Sequence, residues 1–249
     1  MTTDRIAIVT GSGSGIGRGI ASHLIELGYK VAIQDLNPER VAETISLIDP
    51  QSKQTIGVVG DVSIPTDVAH CVNEVIAQWG RIDLLVNNAG YCQIKPIMDI
   101  SHEEITRMFN VHVMGTFLFI QNCVPFMKQQ KFGRIVNIVS ALGAGASEFT
   151  SHYQAAKAAQ HSFTKSCALT FRKDGITINS VSPSTVITKL FFENDDNYKK
   201  YLGRSAADEL ARREVASPKG LVTVEEVARV VSFLAKDASG SINGEVIGI

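Results

Sequence analysis

The stretch RIAIVTGSGSGIGRGIASHLIEL, Arg5 to Leu27, decides how this chain folds. Its first six residues, Arg5 to Thr10, form an apolar run with β-branched side chains and predict a buried strand. The turn GSGSGIG, Gly11 to Gly17, follows at once, and from Ile20 to Leu27 the apolar residues return at helical spacing. A strand, a glycine-rich turn and a helix in that order point backbone amides and a helix amino terminus at one place, where a pyrophosphate can approach closely. The spacing is G-x-x-x-G-x-G, with Gly13 as an extra member.

A second strand, KVAIQD (Lys30 to Asp35), ends in a carboxylate roughly 20 residues after the turn, the position that binds a ribose 2′-hydroxyl in folds of this kind. Asp35 is therefore the expected selector of cofactor, in favour of NAD. It can also cap the helix opened by Asn37 and Pro38. TIGVVGD (Thr55 to Asp61) predicts a third strand, followed by a helix from about Pro65 to Trp79. IDLLVNNAG (Ile82 to Gly90) predicts a fourth, running into Asn87 and Asn88, which either line a cofactor or shape the turn. Helices covering about Ser101 to Lys128 follow. Within FNVHVMGTF, Asn110 stands where the apolar pattern expects a core residue, so its amide needs buried partners or bonds neighbouring backbone and bends the helix. RIVNIV (Arg134 to Val139) is a fifth strand ending at Ser140, and GITINSVSPS (Gly175 to Ser184) a sixth ending in Pro183. A helix from about Thr223 to Ala235 and a short strand around Val246 close the chain.

Strands and helices alternating at this length require parallel strands, right-handed crossovers and helices on both faces. The expected fold is α/β, a single doubly wound Rossmann-type domain over residues 1–249. Gly11, Asp35, Asn87, Ser140 and Pro183 each end a strand, so all five fall on one edge of the sheet. The segment from Thr185 to Gly220 is charged and aromatic, with Phe191, Phe192, Tyr198 and Tyr201. It lies beyond a strand's carboxyl end, where open α/β sheets keep their ligands, and reads as a substrate lid.

Acid–base chemistry points to SALGAGASEFTSHYQAAK, Ser140 to Lys157. A helix from about Thr150 to Arg172 carries Tyr153 and Lys157 four apart on one face, where an ammonium can favour the ionised phenol. Ser140, at the end of its strand, can hydrogen-bond the oxygen that the phenol protonates.

Composition excludes other classes. The 249 residues are 45% hydrophobic, and 24 basic against 25 acidic residues give a net charge of −1. The charges are interspersed, so no nucleic-acid or membrane-surface patch is indicated. Cys71, Cys92, Cys123 and Cys167 form no CxxC pair and read as reduced thiols, and no Cys/His cluster has zinc spacing. The first strand begins at Arg5, which together with the absence of an apolar run of membrane length leads to the expectation of a cytoplasmic protein.

Taken together, the motifs resemble those of the short-chain dehydrogenase/reductase family over essentially the whole chain. TGSGSGIG is similar to its cofactor turn, Asp61-Val62 to its adenine contact, NNAG (Asn87 to Gly90) to its fourth-strand motif, and Asn110, Ser140, Tyr153 and Lys157 to its catalytic tetrad. The resemblance implies that Tyr153 is the acid–base and that Lys157 lowers its pKa and holds the nicotinamide ribose. It further implies that Ser140 binds the substrate oxygen and that Asn110 anchors a proton-relay water. It places NAD against Gly11, Ser14, Gly15, Ile16, Gly17, Asp35, Leu36, Asp61, Val62, Asn88, Ala89 and Gly90. Tyr153, Lys157, Pro183, Val186 and Thr188 complete that surface. Substrate is expected against Ser140, Leu142, Gln93, Glu148 and Tyr153, with Phe149 and the lid nearby, and no metal is expected. The lid's Phe191, Phe192 and Tyr198 resemble those of relatives acting on polyols or acyloins, and a homotetramer is implied. Lys189, Lys199, Lys200 and Arg204 read as a solvated face, and Cys92 and His152 as packing residues.

Two departures stand out: Pro183-Ser184 replaces the usual Pro-Gly, and the chain ends at Ile249 without the Asp-Gly-Gly that follows the last strand in relatives, which bears on tetramer contacts. An NADPH-dependent reductase of 3-oxoacyl thioesters shares the fold and tetrad, but Asp35 would repel a 2′-phosphate and Ser14 supplies no compensating charge. A non-catalytic nucleotide-binding regulator is the reading from another class, since a fold does not fix function. The complete tetrad disfavours it.

Overall fold

In the computed structural model, which describes residues 4–216, 220–236 and 240–249, β1 (Ile6–Thr10) is buried along its full length. Such continuous burial belongs to a strand covered on both faces. β2 (Lys30–Asp35), β3 (Thr55–Val59), β4 (Leu84–Asn87), β5 (Gly133–Ile138), β6 (Ile176–Ser182) and β7 (Val246–Gly248) join it in one sheet. The strand order is β3-β2-β1-β4-β5-β6-β7 and every pairing is parallel. The direction of progression reverses between β1 and β4, and such switch points open a crevice at the carboxyl ends of the strands. The expected doubly wound architecture is the observed one.

Helices cover both faces. α1 (Gly15–Glu26) and α2 (Pro38–Ile48) lie on one side, with Ile20, Leu24 and Val41 packed against β1 and β2. α3 (Pro65–Trp79) lies on the other, with Val68, Val72 and Val75 in the second core. α2 begins as its sequence asks: Asn37 accepts from the Arg40 amide and Pro38 occupies the first turn.

α4 (His102–Phe109) opens with a reciprocal capping box between Ser101 and Glu104. It runs without a break through a π turn (Asn110–Met114) into α5 (Gly115–Gln130). α6 (Ser151–Phe171) packs beside α5 on the face of α3, through Ala168.

After β6 come two short helices, α7 (Lys189–Phe192) and α8 (Asp195–Asn197), then a π turn (Tyr198–Leu202) and α9 (Ala206–Ala216). α10 (Val224–Leu234) returns to pack on α1. Of the expected lid over 185–220, residues 217–219 lie outside the described residues. Asn194 ties the segment down: its amide donates to the Cys92 carbonyl at 3.0 Å and accepts from the Ile94 amide at 3.3 Å. No described helix is long and apolar enough to cross a membrane.

Candidate active site

The carboxyl edge of the sheet holds two adjoining cavities of about 350 and 310 Å³. The first is a cleft that begins at the glycine turn. Gly11 has φ +62°, and a Cβ there would lie 2.8 Å from Ala89 Cα, so only glycine permits this approach of the β1 and β4 ends. Asn88 fastens the same junction, donating from its side chain to the carbonyls of Thr10 and Gly11 at 2.9 and 3.2 Å. Thr10 Oγ1 in turn accepts from the amides of Asn88 and Ala89, both at 3.0 Å. Asn88 thus both lines the cleft and shapes the turn. Asn87 faces the sheet interior and donates to Asn137 at 2.9 Å.

Asp35 is 8% exposed at the end of β2. One carboxylate oxygen accepts from the Gly13 amide at 3.0 Å and the other from the Asn37 amide at 3.1 Å. A carboxylate has about four lone-pair sites, so each oxygen keeps acceptor capacity toward the cleft. Asp61 accepts from the amide and hydroxyl of Ser63 at 2.8 and 2.7 Å.

Of the residues expected around the cofactor, Gly11, Ser14, Gly15, Ile16, Asp35, Leu36, Asp61, Val62, Asn88, Ala89, Gly90, Tyr153, Lys157 and Thr188 line this cleft. Three do not. Gly17 is buried beneath the turn, where a Cβ would meet the Gly11 carbonyl at 2.3 Å. Pro183 and Val186, set by the course of the chain leaving β6, line the second cavity instead.

That cavity has Ser140, Leu142 and Tyr153 on its wall, as expected for a substrate site. Gln93 and Glu148 depart from expectation. Gln93 is consumed by its own neighbours, donating to Glu104 at 2.7 Å and meeting His152 Nε2 at 3.0 Å. Glu148 is exposed and lines neither cavity, because a charged side chain in that loop keeps its hydration by facing solvent.

Tyr153 belongs to the walls of both cavities. Burial pushes its phenol above the ordinary value, the neighbouring Cys92 adds to this, and a hydrogen bond with Ser140 pulls the other way. Lys157, buried one turn on, donates to the Ile138 carbonyl at 2.8 Å, with Nζ 5.7 Å from the Tyr153 ring centre. Burial holds its pKa down to about 7. The expected lowering of the phenol by an ammonium therefore does not prevail over burial here. The Cys92 thiol is pushed up to about 12, also by burial.

Asn110 is not a buried amide. It is exposed, and its side chain lines neither cavity. The reason is the π turn, whose additional residue advances the helix phase. It turns His112 inward where a regular α-helix would have been read. His112 is 1% exposed, and its ring meets that of Tyr153 edge to face with centroids 5.5 Å apart. Its Nε2 lies 2.9 Å from the Tyr91 carbonyl and 3.2 Å from the Tyr91 amide, so that residue supplies a partner to either tautomer. Nδ1 is buried and meets no hydrogen-bond partner among the described residues. Burial, then the charge of Lys157, holds the imidazole well below its usual pKa and keeps it neutral. Thr116 and Gln160 both donate to the His112 carbonyl, at 2.8 and 2.9 Å, fixing the turn. Spacing alone did not disclose His112, because a π turn leaves no periodic signal. Arg40 and Arg213, which no sequence motif marks, line the first and second cavities respectively.

The chain was compared with known proteins. Residues 5–199 match the family described as short chain dehydrogenase. A diacetyl reductase [(S)-acetoin forming] of Staphylococcus epidermidis is 33% identical over 98% of this chain and 96% of its own length. An L-2,3-butanediol dehydrogenase of Corynebacterium glutamicum is 31% identical over 98% of this chain and 96% of its own. Among solved structures, an actinorhodin polyketide ketoreductase with NADPH superposes with a TM-score of 0.94 at 26% identity, covering 99% of this chain and 95% of that one. The family match runs from β1 through Tyr153 and Lys157, and the relatives extend it to nearly full length: this chain belongs to the short-chain dehydrogenase/reductase family.

Proposed function

We propose that the protein is an NAD-dependent oxidoreductase that interconverts a small secondary alcohol and its ketone, with Tyr153 as general acid/base. The observation that carries this reading is that Tyr153 is shared by both cavities while Lys157 lies on the cleft side and Ser140 on the other. A reacting oxygen at that junction is within reach of one proton-transferring group and one hydrogen-bonding hydroxyl.

The cleft fits a dinucleotide. It opens at a turn that only glycine allows at residue 11, and it ends at a lysine beside the phenol. When bound, the cofactor supplies or accepts the hydride. Asp35 would accept from the adenosine ribose hydroxyls, and Lys157 would donate to the nicotinamide ribose. Ser140 holds the substrate oxygen, and Tyr153 gives a proton to it in reduction and takes one from it in oxidation. We assign His112, rather than Asn110, to the fourth position: its neutral ring braces that of Tyr153 edge to face, and a neutral imidazole keeps one nitrogen able to accept a proton.

The diacetyl reductase and butanediol dehydrogenase among the relatives support a small hydroxy or oxo compound as substrate. NADPH in the superposed ketoreductase supports a second reading, NADP use. Asp35 argues against it by like-charge repulsion, and the nearby Arg40 shares its charge with Glu193 at 3.6 Å. Exposed Phe117 and Leu169 on α5 and α6 support a homotetramer built on those helices, which light scattering tests.

The deciding experiment follows reduced-nicotinamide absorbance with NAD or NADP and a panel of small secondary alcohols, neutral and acidic, including acetoin, butanediol and 3-hydroxybutanoate. NAD-linked oxidation that disappears in Tyr153→Phe is expected. No turnover with either cofactor on any member would overturn the proposal.

A further inference from the structure

Arg213 is the one charged side chain on the wall of the 310 Å³ cavity, among the described residues. Much of that wall is apolar, with Ile94, Leu142, Val186 and Phe191, and its other polar groups, Ser140, Tyr153, Thr150 and Asn194 among them, are uncharged. A guanidinium facing such a surface needs an explanation, because a charge in an apolar cavity is costly unless paired.

Its existing pairing is partial. Nε donates to Glu209 at 2.8 Å, while among the described residues the terminal nitrogens reach only Thr185 Oγ1 at 3.4 Å and Tyr198 Oη at 3.5 Å. Those two contacts are at the outer limit of hydrogen bonding, and each terminal nitrogen carries two protons. Glu209, 1% exposed, also serves Arg204 at 2.8 Å and Arg212 at 2.8 Å. One carboxylate among three guanidiniums leaves the cluster two positive charges in excess, so Glu209 orients Arg213 without cancelling it. The guanidinium also sits 5.3 Å from the Phe191 ring centre, which fixes its plane from α7. What remains is an oriented, cationic fork on the wall of the small cavity that Ser140 and Tyr153 also line.

We propose that Arg213 binds a carboxylate, and that the protein's substrates are therefore small hydroxy acids and the corresponding oxo acids, held with the carboxylate on Arg213 and the carbinol oxygen between Ser140 and Tyr153. This rests on the reaction proposed above and specifies its substrate class. The chemistry at the oxygen is unchanged; only the recognition is new.

The test compares 3-hydroxybutanoate with its neutral isostere, 3-hydroxybutanamide, in wild type, Arg213→Met and Arg213→Lys. Loss of a charge-assisted hydrogen bond should lower kcat/KM for the acid about 10- to 100-fold in Arg213→Met, mainly through KM, with Arg213→Lys intermediate. The amide should change less than about 3-fold, since a neutral group draws little on the charge. Because the variant also loses its bond to Glu209, its melting temperature is measured alongside. The amide rate is the internal control for a damaged fold. Equal losses for acid and amide, or a wild type that prefers the amide, would overturn the inference while leaving the proposed reaction standing. A wild type inactive on acids, amides and neutral alcohols alike would overturn the proposed reaction, and this inference with it.

Discussion

The imidazole of His112 stands edge-on to the Tyr153 ring at an interplanar angle of 82°. Three residues of the π turn's frame serve that arrangement: Thr116 and Gln160 hold its carbonyl, and Tyr91 holds its Nε2. His112→Phe keeps an aromatic ring in the same volume but removes both nitrogens. A drop of at least about 10-fold in kcat is expected, together with an altered pH profile, because a proton-accepting group is lost while packing is largely kept. Equal kcat in His112→Phe and wild type, with only His112→Ala impaired, would reduce His112 to a spacer.

Tyr153→Phe removes the transferable proton and almost no bulk. Turnover should fall by about 10²- to 10⁴-fold, the usual range for a general acid/base. NAD affinity, measured by fluorescence titration, should stay nearly constant. Retention of more than a small fraction of kcat would remove the phenol from the mechanism.

Lys157, with its pKa held at about 7 by burial, gives a pH dependence of known sign. In the free protein it loses its proton as pH rises through that value, whereas the cofactor hydroxyls favour the ammonium. NAD binding should therefore take up protons above neutrality, and the dissociation constant should rise with pH. Calorimetry in two buffers of different ionisation enthalpy reads the proton count directly. Lys157→Met should abolish the uptake and weaken binding; uptake persisting in the variant would assign it to another group.

On the proposed reading, Asp35 separates the cofactors by charge. A lost charge-assisted hydrogen bond alone amounts to about 1.5–3 kcal/mol, so NAD should exceed NADP by at least ~10-fold in kcat/KM. Asp35→Ser combined with Leu36→Arg should relax or reverse this, by removing the repelling charge and adding a phosphate partner. Measured at one ionic strength, equal use of the two cofactors by wild type would refute the assignment.

Glu209 should carry the acid sensitivity of the segment that follows β6. Arg212 and Arg213 hold its pKa at about 2, below the ordinary 4.5, against a burial effect that raises it. A depressed carboxylate stabilises the folded state fully above its unfolded pKa, and the contribution is lost as pH falls through the interval from 4.5 toward 2. Glu209→Gln should cost roughly 2–3 kcal/mol at neutral pH, the partial exposure of the arginines moderating the buried-pair value. Thermal melts of both proteins across the acid range should converge at low pH; parallel curves would contradict the ion cluster.

The sheet was legible in the chain because its strands are buried on both faces and read as unbroken apolar runs, RIAIVT and RIVNIV above all. Asp35, Ser140, Tyr153 and Lys157 were legible because each sits at a strand end or at i,i+4 on one helix, where sequence position translates directly into space. Asn110 misled for the opposite reason. Between Phe109 and Gly115 the helix departs from its 3.6-residue repeat, so a period read from neighbouring turns assigns the wrong side chain to the interior. Gln93 and Glu148 lie in loops, whose course depends on partners far along the chain, such as Glu104 for Gln93. Arg213 was hidden among the charges of α9, where i,i+4 pairing with Glu209 suggests a solvated face. Only the tertiary fold turns it toward the cavity.

Gly90 closes the turn after β4 with no side chain, and a methyl group there would stand 2.2 Å from Cε1 and 2.7 Å from Nδ1 of His112. The two positions, 22 residues apart in the chain, compete for a single volume. They are therefore not free to drift independently. While the imidazole keeps this pose, a side chain at 90 meets the ring, so a change at 90 requires the ring to move or position 112 to shrink. An absent methyl group at one position is thus part of what seats an imidazole at the other.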